Sequence, residues 1–349
     1  MKMKAYTLGA SLALLLAACA TTPQPAATGD DNIQLETNVF AIKGQDTLRL
    51  DTYIDYTQPA PAEGRPVIIY IHGGGFTMGS RINAAQEIFC RHMAKEGFVA
   101  VSVDYRLAGM LNNADDGTVI NPYGVQSVRE SVTIACEDVV DATCFVLQQP
   151  AWQVNPAQVS LAGGSAGAIT TLTLVYDRCN GADYTQSLPE GFAYAGAISQ
   201  AGAVGTLEPE LVWKSTPCPM MFFHGTIDEL VPRGKADIAG TNFMGTEYIA
   251  AQLKEMGIPH WVWLEPGADH VLAMKPCTQY LEEQARFLKD FVSGKQQATV
   301  YTEWTQPEPD GMQSIEEMVQ SVPMYVLGYE KYLKDIDWNN LGIPEDVVY

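Results

Sequence analysis

Serine is a weak nucleophile at neutral pH until an imidazole takes its proton and a carboxylate fixes that imidazole's tautomer. The chain carries a serine in the setting such chemistry needs. Ser165 stands in Gly163-Gly164-Ser165-Ala166-Gly167, a G-x-S-x-G pentapeptide lying directly after an apolar run and directly before a helical pattern. Small flanking residues let the backbone make the sharp strand-to-helix turn that lifts a hydroxyl clear of the main chain. Upstream, His72-Gly73-Gly74-Gly75-Phe76 closes another apolar run. Glycines there allow backbone N–H groups to turn toward a ligand, and two such donors would hold the oxyanion that develops when an acyl carbon is attacked. Gly73 or Gly74 would supply one donor, and the N–H of Ala166 the other.

Five histidines are available as the base. His72 belongs to the glycine loop and reads as a structural hydrogen bonder, His92 sits mid-helix, His224 ends a strand before Gly225, and His260 begins a strand. His270 occupies a late loop, Pro266-Gly267-Ala268-Asp269-His270, after the last apolar run and before the last main helix, and is the expected base. For the carboxylate, Asp228 lies in His224-Gly225-Thr226-Ile227-Asp228-Glu229-Leu230-Val231-Pro232, again immediately after a strand. Glu229 adjoins Asp228 and Asp269 adjoins the base, but sequence neighbours rarely point at one another's Nδ1, so Asp228 is the expected acid. The reaction would be two-step ester hydrolysis, with Ser165 attacking the acyl carbon, His270 relaying the proton, and water releasing the acid. A histidine base predicts activity rising through about pH 6 to 7. Neither metal nor organic cofactor is required, and no CxxC or Cys/His cluster points to a structural metal.

The elements that must deliver these residues follow a regular alternation. Val39 to Ile42 and Leu48 to Tyr56 flank Gly44-Gln45-Asp46 and predict an opening antiparallel pair. Val67 to Ile71, Val99 to Val103 and Gln158 to Ala162 are compact apolar runs of the kind expected in buried parallel strands. Helical patterns cover Asn83 to Glu96, Gln126 to Gln148 and Ala166 to Tyr176. Later strands are predicted at Phe192 to Ile198, Met220 to Phe223 and Trp261 to Leu264, with helices near Thr241 to Met256 and Thr278 to Val292. This is a βα repeat on a mostly parallel sheet.

Taken with Val103-Asp104-Tyr105-Arg106-Leu107-Ala108, these motifs make the chain resemble the α/β-hydrolase superfamily over roughly residues 38 to 293. The glycine loop, the Asp-Tyr-Arg segment and the pentapeptide are similar to the carboxylesterase and hormone-sensitive-lipase-like branch, including bacterial lipoprotein carbohydrate esterases. The acid-bearing segment is similar to dienelactone hydrolases. After Ala108 the chain has Gly109-Met110 where the branch has Pro-Glu. The order Ser165, Asp228, His270 agrees with the superfamily. The resemblance implies an α/β-hydrolase fold, with an eight-stranded, mostly parallel sheet, helices on both faces and catalytic residues at the strand C-termini. It also implies a carboxylic ester hydrolase; an open, acidic site with no large lid would suit short acyl or aromatic esters, and a lipid-anchored envelope protein would have plant polysaccharide esters among its substrates. A serine peptidase of the same fold and a non-catalytic hydrolase-fold binding protein are the alternatives. Peptidase relatives usually carry a β-propeller ahead of the hydrolase, and the fewer than about fifty residues between Cys19 and Val67 leave no room for one.

Composition narrows the partners. With 41 acidic against 21 basic side chains the formal charge is −20, so nucleic acid is not expected to bind. Met1 to Lys4 is a basic start, Ala5 to Ala18 is an apolar run short for a bilayer span, and Leu16-Ala17-Ala18-Cys19 resembles the lipobox of bacterial lipoproteins. The expected organisation is a lipoprotein signal peptide at 1–18, a tether at 19–35, the hydrolase domain at 36–295 and a C-terminal helical extension at 296–349. Lipidation of Cys19 would anchor the protein in the cell envelope, at the outer membrane, and this lipid would be its only contact with membrane. Six cysteines remain, namely Cys90, Cys136, Cys144, Cys179, Cys218 and Cys277. Cys136 and Cys144 are too far apart on one predicted helix to bond. A Cys179–Cys218 bond at the bottom of the sheet is one expectation, and six buried inert thiols are the other. No large lid is evident between Ile198 and Met220, which leaves Gly109 to Tyr123 and the tail as pocket walls. In the tail, Tyr325, Tyr329, Tyr332 and Trp338 would either face a sugar or cover the body.

Overall fold

The computed structural model describes residues 32–109, 111–112, 119–120 and 122–304. The signal segment, Cys19, the tether up to Asp31, the centre of the Gly109 to Tyr123 stretch and the tail's aromatic residues lie outside them. Nine strands form the main sheet: β1 (Ile33–Lys43), β2 (Asp46–Asp55), β3 (Arg65–Ile71), β4 (Val99–Val103), β5 (Val154–Gly164), β6 (Gly196–Gln200), β7 (Met220–Gly225), β8 (His260–Glu265) and β9 (Thr299–Glu303). Their order is β1-β2-β4-β3-β5-β6-β7-β8-β9. β2 pairs antiparallel with both β1 and β4, and every other neighbouring pair is parallel. The C-terminal ends of β3, β5, β7 and β8 therefore share one edge, where His72, Ser165, Asp228 and His270 follow.

Side-chain parity along β3 shows how the two cores arise. Val67, Ile69 and Ile71 join one hydrophobic cluster while Ile68 and Tyr70 join the other, because successive strand residues point to opposite faces. The first cluster takes the buried faces of α2 (Val128–Leu147), α3 (Ala166–Asn180) and α4 (Thr246–Glu255). The second takes α1 (Ala84–Lys95) and α5 (Leu281–Phe287). The ends of α1 and α2 follow from local chemistry. Asn83 accepts from the N–H groups of Ala85 and Gln86, and Ser127 from that of Glu130, satisfying donors that the first helical turn leaves free.

Four expectations change. The sheet has nine strands rather than eight, because Thr299–Glu303, from the stretch read as a C-terminal extension, pairs in parallel with β8, and the Trp261 indole donates to the Thr302 hydroxyl at 3.0 Å. β1 starts at Ile33, within the stretch read as tether. Residues Thr241–Gly245 form a strand, not the first turn of a helix: they pair antiparallel with Ala203–Thr206 and Lys235–Ile238 in a small second sheet, and the helix begins only at Thr246. Finally, Cys179 and Cys218 are both free thiols, as are the other four described cysteines. The predicted neighbourhood does form, since the Ser215 hydroxyl donates to the Cys179 carbonyl at 3.0 Å. The Cys179 thiol itself turns to the Thr216 carbonyl.

Candidate active site

Ser165 is the hinge between β5 and α3. Its φ of 52° and ψ of −120° are a backbone state costing a non-glycine residue on the order of 1–3 kcal/mol. The surroundings hold that state in place. Its N–H donates to the carbonyl of Gln200, the last residue of β6, at 2.9 Å, and its own carbonyl accepts from Ile169 at 2.9 Å. Gly167 lets α3 lie against β3, since a Cβ there would collide with the Ile71 carbonyl. The result is a hydroxyl raised over the edge of the sheet and aimed at one histidine.

The Ser165 Oγ lies 2.8 Å from His270 Nε2, and His270 Nδ1 lies 2.7 Å from Asp228 Oδ2. A carboxylate accepts only, so Nδ1 carries the proton and Nε2 is left to take the serine's. All three side chains are largely buried. Asp228 is saturated with donors: Oδ1 accepts from the N–H groups of Leu230 and Val231 at 2.9 and 3.0 Å. Its Oδ2 also meets His224 Nε2 at 3.3 Å. Burial alone would push the Asp228 carboxyl up, but the imidazoles of His270 and His224 outweigh it and hold the group well below the usual carboxylate range.

The neighbouring carboxylates do other work. Asp269 caps the short turn that carries His270, accepting from the Val271 N–H at 2.9 Å, and Glu229 is exposed. The remaining histidines stay away from Ser165. His72 Nδ1 donates to the Gly73 carbonyl at 2.7 Å while the ring stacks on Tyr105 with centroids 4.2 Å apart. His260 Nδ1 turns to the Ile258 carbonyl, and His92 lies on α1 beside Glu282.

The glycine loop is built to present backbone donors. Gly74 has a φ of 116°, a conformation that excludes other residues, and a Cβ there would run into the Met78 carbonyl. The Gly73 carbonyl is drawn toward His72, and the Tyr105 hydroxyl donates to the His72 carbonyl at 3.0 Å. In a trans peptide the N–H points opposite to the preceding carbonyl, so the Gly74 N–H is turned away from His72 and Tyr105. Ala166 opens α3, where the first N–H groups have no intrahelical partner. Asp104 supports the loop from below by accepting from the Arg81 backbone and guanidinium at 2.9 and 3.0 Å. Arg106 binds Asp138 and Glu137 of α2. The Asp104-Tyr105-Arg106 run thus fastens the loop to both neighbouring layers.

Two supports have little signal in the sequence. Glu265 and Lys275 form a fully buried ion pair, with the Tyr280 hydroxyl donating to Glu265 at 3.0 Å, and so close the base of the loop that carries His270. His224 behind Asp228 could be found only from its place four residues ahead of the acid. A cavity of about 30 Å³ opens beside Ser165, Gly73 and Gly74 and is closed by Tyr70, Met274 and Cys277.

Residues 17–118 match the Carboxylesterase family. Gut esterase 1 of Caenorhabditis elegans is 26% identical over 147 residues, covering 42% of this chain and 24% of that protein. Probable carboxylesterase 16 of Arabidopsis thaliana is 40% identical over 62 residues, 17% of this chain and 14% of that protein. The chain thus spans a quarter or less of the length of these curated relatives. Among solved structures, the propionate-bound esterase 2 of Thermogutta terrifontis aligns with a TM-score of 0.53 at 20% identity, over 75% of this chain and 94% of that one. The architecture is therefore the α/β-hydrolase fold, with a central sheet of nine strands, mostly parallel, between helical layers.

Proposed function

We propose that this chain is a serine hydrolase of carboxylic esters that works through an acyl-enzyme. The observation that carries the reading is the unbroken hydrogen-bond relay Ser165–His270–Asp228, at 2.8 and 2.7 Å, in a buried setting. Ser165 attacks the acyl carbon while His270 takes its proton. The tetrahedral oxyanion is held by the N–H of Ala166 and that of Gly74, with Gly73 beside it. His270 then protonates the departing alcohol and activates the water that releases the acid, and Asp228 holds the imidazole and balances its charge. The match to the Carboxylesterase family over residues 17–118 supports the ester substrate.

Short acyl groups fit the site best. A cavity of about 30 Å³ has room for two or three water-sized groups, on the scale of roughly 10–15 Å³ for one water. We place the acyl group in this cavity, beside Ser165, Gly73 and Gly74, and the alcohol on the side of His270, which must protonate it. Thermogutta terrifontis esterase 2 with bound propionate is in keeping with that size. An acylated polysaccharide supplies the alcohol side we propose. That substrate class, and a place in the cell envelope through lipidated Cys19, rest on the N-terminal segment and on resemblance to lipoprotein carbohydrate esterases. A panel of acetyl, butyryl, octanoyl and feruloyl esters beside a panel of dipeptide amides tests the reading. It predicts turnover of acetyl esters, little of octanoyl esters and none of the amides. Amide cleavage without ester cleavage would overturn it.

A further inference from the structure

His224 sits at the end of β7, has no solvent exposure, and takes no part in the proton relay described above. Its ring nevertheless touches the acid. Nε2 lies 3.3 Å from Asp228 Oδ2 and 3.1 Å from the Val231 carbonyl, and both of these atoms accept only, so Nε2 carries a proton shared between them. On the far side, Nδ1 lies 2.8 Å from the hydroxyl of Thr246, the first residue of α4, itself fully buried. A hydroxyl can donate to that nitrogen, and this places the ring tautomer under the control of α4.

We infer that His224, oriented by Thr246, is the positioning residue of the acid, fixing the plane of the Asp228 carboxylate so that Oδ2 points at His270 Nδ1. Each carboxylate oxygen needs a second donor if the group is not to rotate about its Cβ–Cγ bond. Oδ1 has the Leu230 and Val231 N–H groups, whereas Oδ2 is met by His270 and His224. His224 also reaches the turn at Val231, so the same ring ties the end of β7 to both ends of the Asp228 turn. Thr246–His224–Asp228–His270–Ser165 is thus a single hydrogen-bonded chain running from α4 to the nucleophile. This assignment rests on the proposed roles of Ser165, His270 and Asp228.

The test compares His224→Leu, His224→Gln and Thr246→Val in the full chain. Glutamine keeps a donor near the position of Nε2 and leucine does not. The expected result is a kcat lower by about ten- to a hundredfold in the leucine variant with KM nearly unchanged, the size of one hydrogen bond to a charged group. Glutamine should restore kcat to within a few-fold, and Thr246→Val should cost a few-fold. The downfield proton resonance of the His270–Asp228 hydrogen bond, recorded without substrate, should move or vanish in His224→Leu and persist in His224→Gln. Equal losses in both His224 variants, or an unmoved resonance in His224→Leu, would overturn the assignment. If the leucine variant fails to fold, His224→Asn, too short to reach Asp228, takes its place with the same expectation. Because the resonance is read without turnover, a protein inactive on every ester but showing the shift would sink the ester reading and leave this assignment standing.

Discussion

The proposed nucleophile and its two proposed partners are held by different kinds of structure. Ser165 is set by its immediate neighbours: glycines on both sides, β5 ending at Gly164, α3 starting at Ala166, and one long-range bond to the Gln200 carbonyl. Asp228 and His270 lie 42 residues apart and meet only because two loops dock on each other. The Ile227 N–H donates to the Ala268 carbonyl at 3.0 Å, the Gly267 N–H to the Thr226 hydroxyl at 2.8 Å, and the Glu265–Lys275 pair clamps the loop base. A site half local and half assembled should fail in two ways. Lesions at the relay atoms stop the chemistry with the fold intact, and lesions in the docking contacts loosen the base and acid while the elbow survives.

The largest effects belong to the relay itself. Ser165→Ala and His270→Ala should each lower kcat by about ten-thousandfold or more, and the double variant should be little worse, because the groups act as a unit. Asp228→Asn should cost about the same order, since the amide allows the wrong imidazole tautomer. Steady-state kinetics with an acetyl ester, beside melting curves close to wild type, check all three. Near-wild-type turnover in any of them would break the assignment of roles.

Next comes the clamp. Glu265→Ala strands the Lys275 ammonium in a site with no solvent exposure, and removing one partner of a buried pair costs about 3–5 kcal/mol. A urea titration should show that loss, and labelling of Ser165 should slow as His270 loses its support. Unchanged stability would mean that the pair is not a clamp. A smaller effect concerns the cavity wall. Tyr70 is tied to Gln200 at 2.9 Å and Cys277 donates to Tyr70, while Met274 is an unbranched, half-buried chain with room to give. Met274→Ala should raise the butyrate-to-acetate ratio of kcat/KM by about tenfold, within the range for fitting added methylenes in an apolar pocket. A ratio that does not move would place the acyl group elsewhere. The smallest effects belong to the carboxylates beside the relay: Asp269→Asn and Glu229→Gln should stay within a few-fold of wild type in kcat.

The same division governs how much of the molecule is legible in its sequence. The βα alternation, the pentapeptide and the glycine loop were legible because each is written in consecutive residues with a strong local signature. Asp228 and His270 both stand in loops that follow strands, and parallel strands send their C-terminal loops to one edge, which is why their neighbourhood is legible in the sequence. The ninth strand has no clear signature because Thr299–Glu303 is short and is defined only by pairing with β8, and Thr241–Gly245 reads as part of a helix because it runs directly into one at Thr246, although it pairs with both Lys235–Ile238 and the distant Ala203–Thr206. The buried Glu265–Lys275 pair was invisible for a related reason. A Glu and a Lys ten residues apart look like two solvated charges until the loop between them closes.

One measurement bears most directly on the central claim, that Ser165 is a nucleophile activated by an assembled histidine and carboxylate. The full chain is treated with a fluorophosphonate probe and the modified peptide is mapped by mass spectrometry. Stoichiometric modification of Ser165 alone is expected, absent in Ser165→Ala and strongly slowed in His270→Ala. Ester turnover that persists while Ser165 remains unmodified, or a label on another residue, would contradict it.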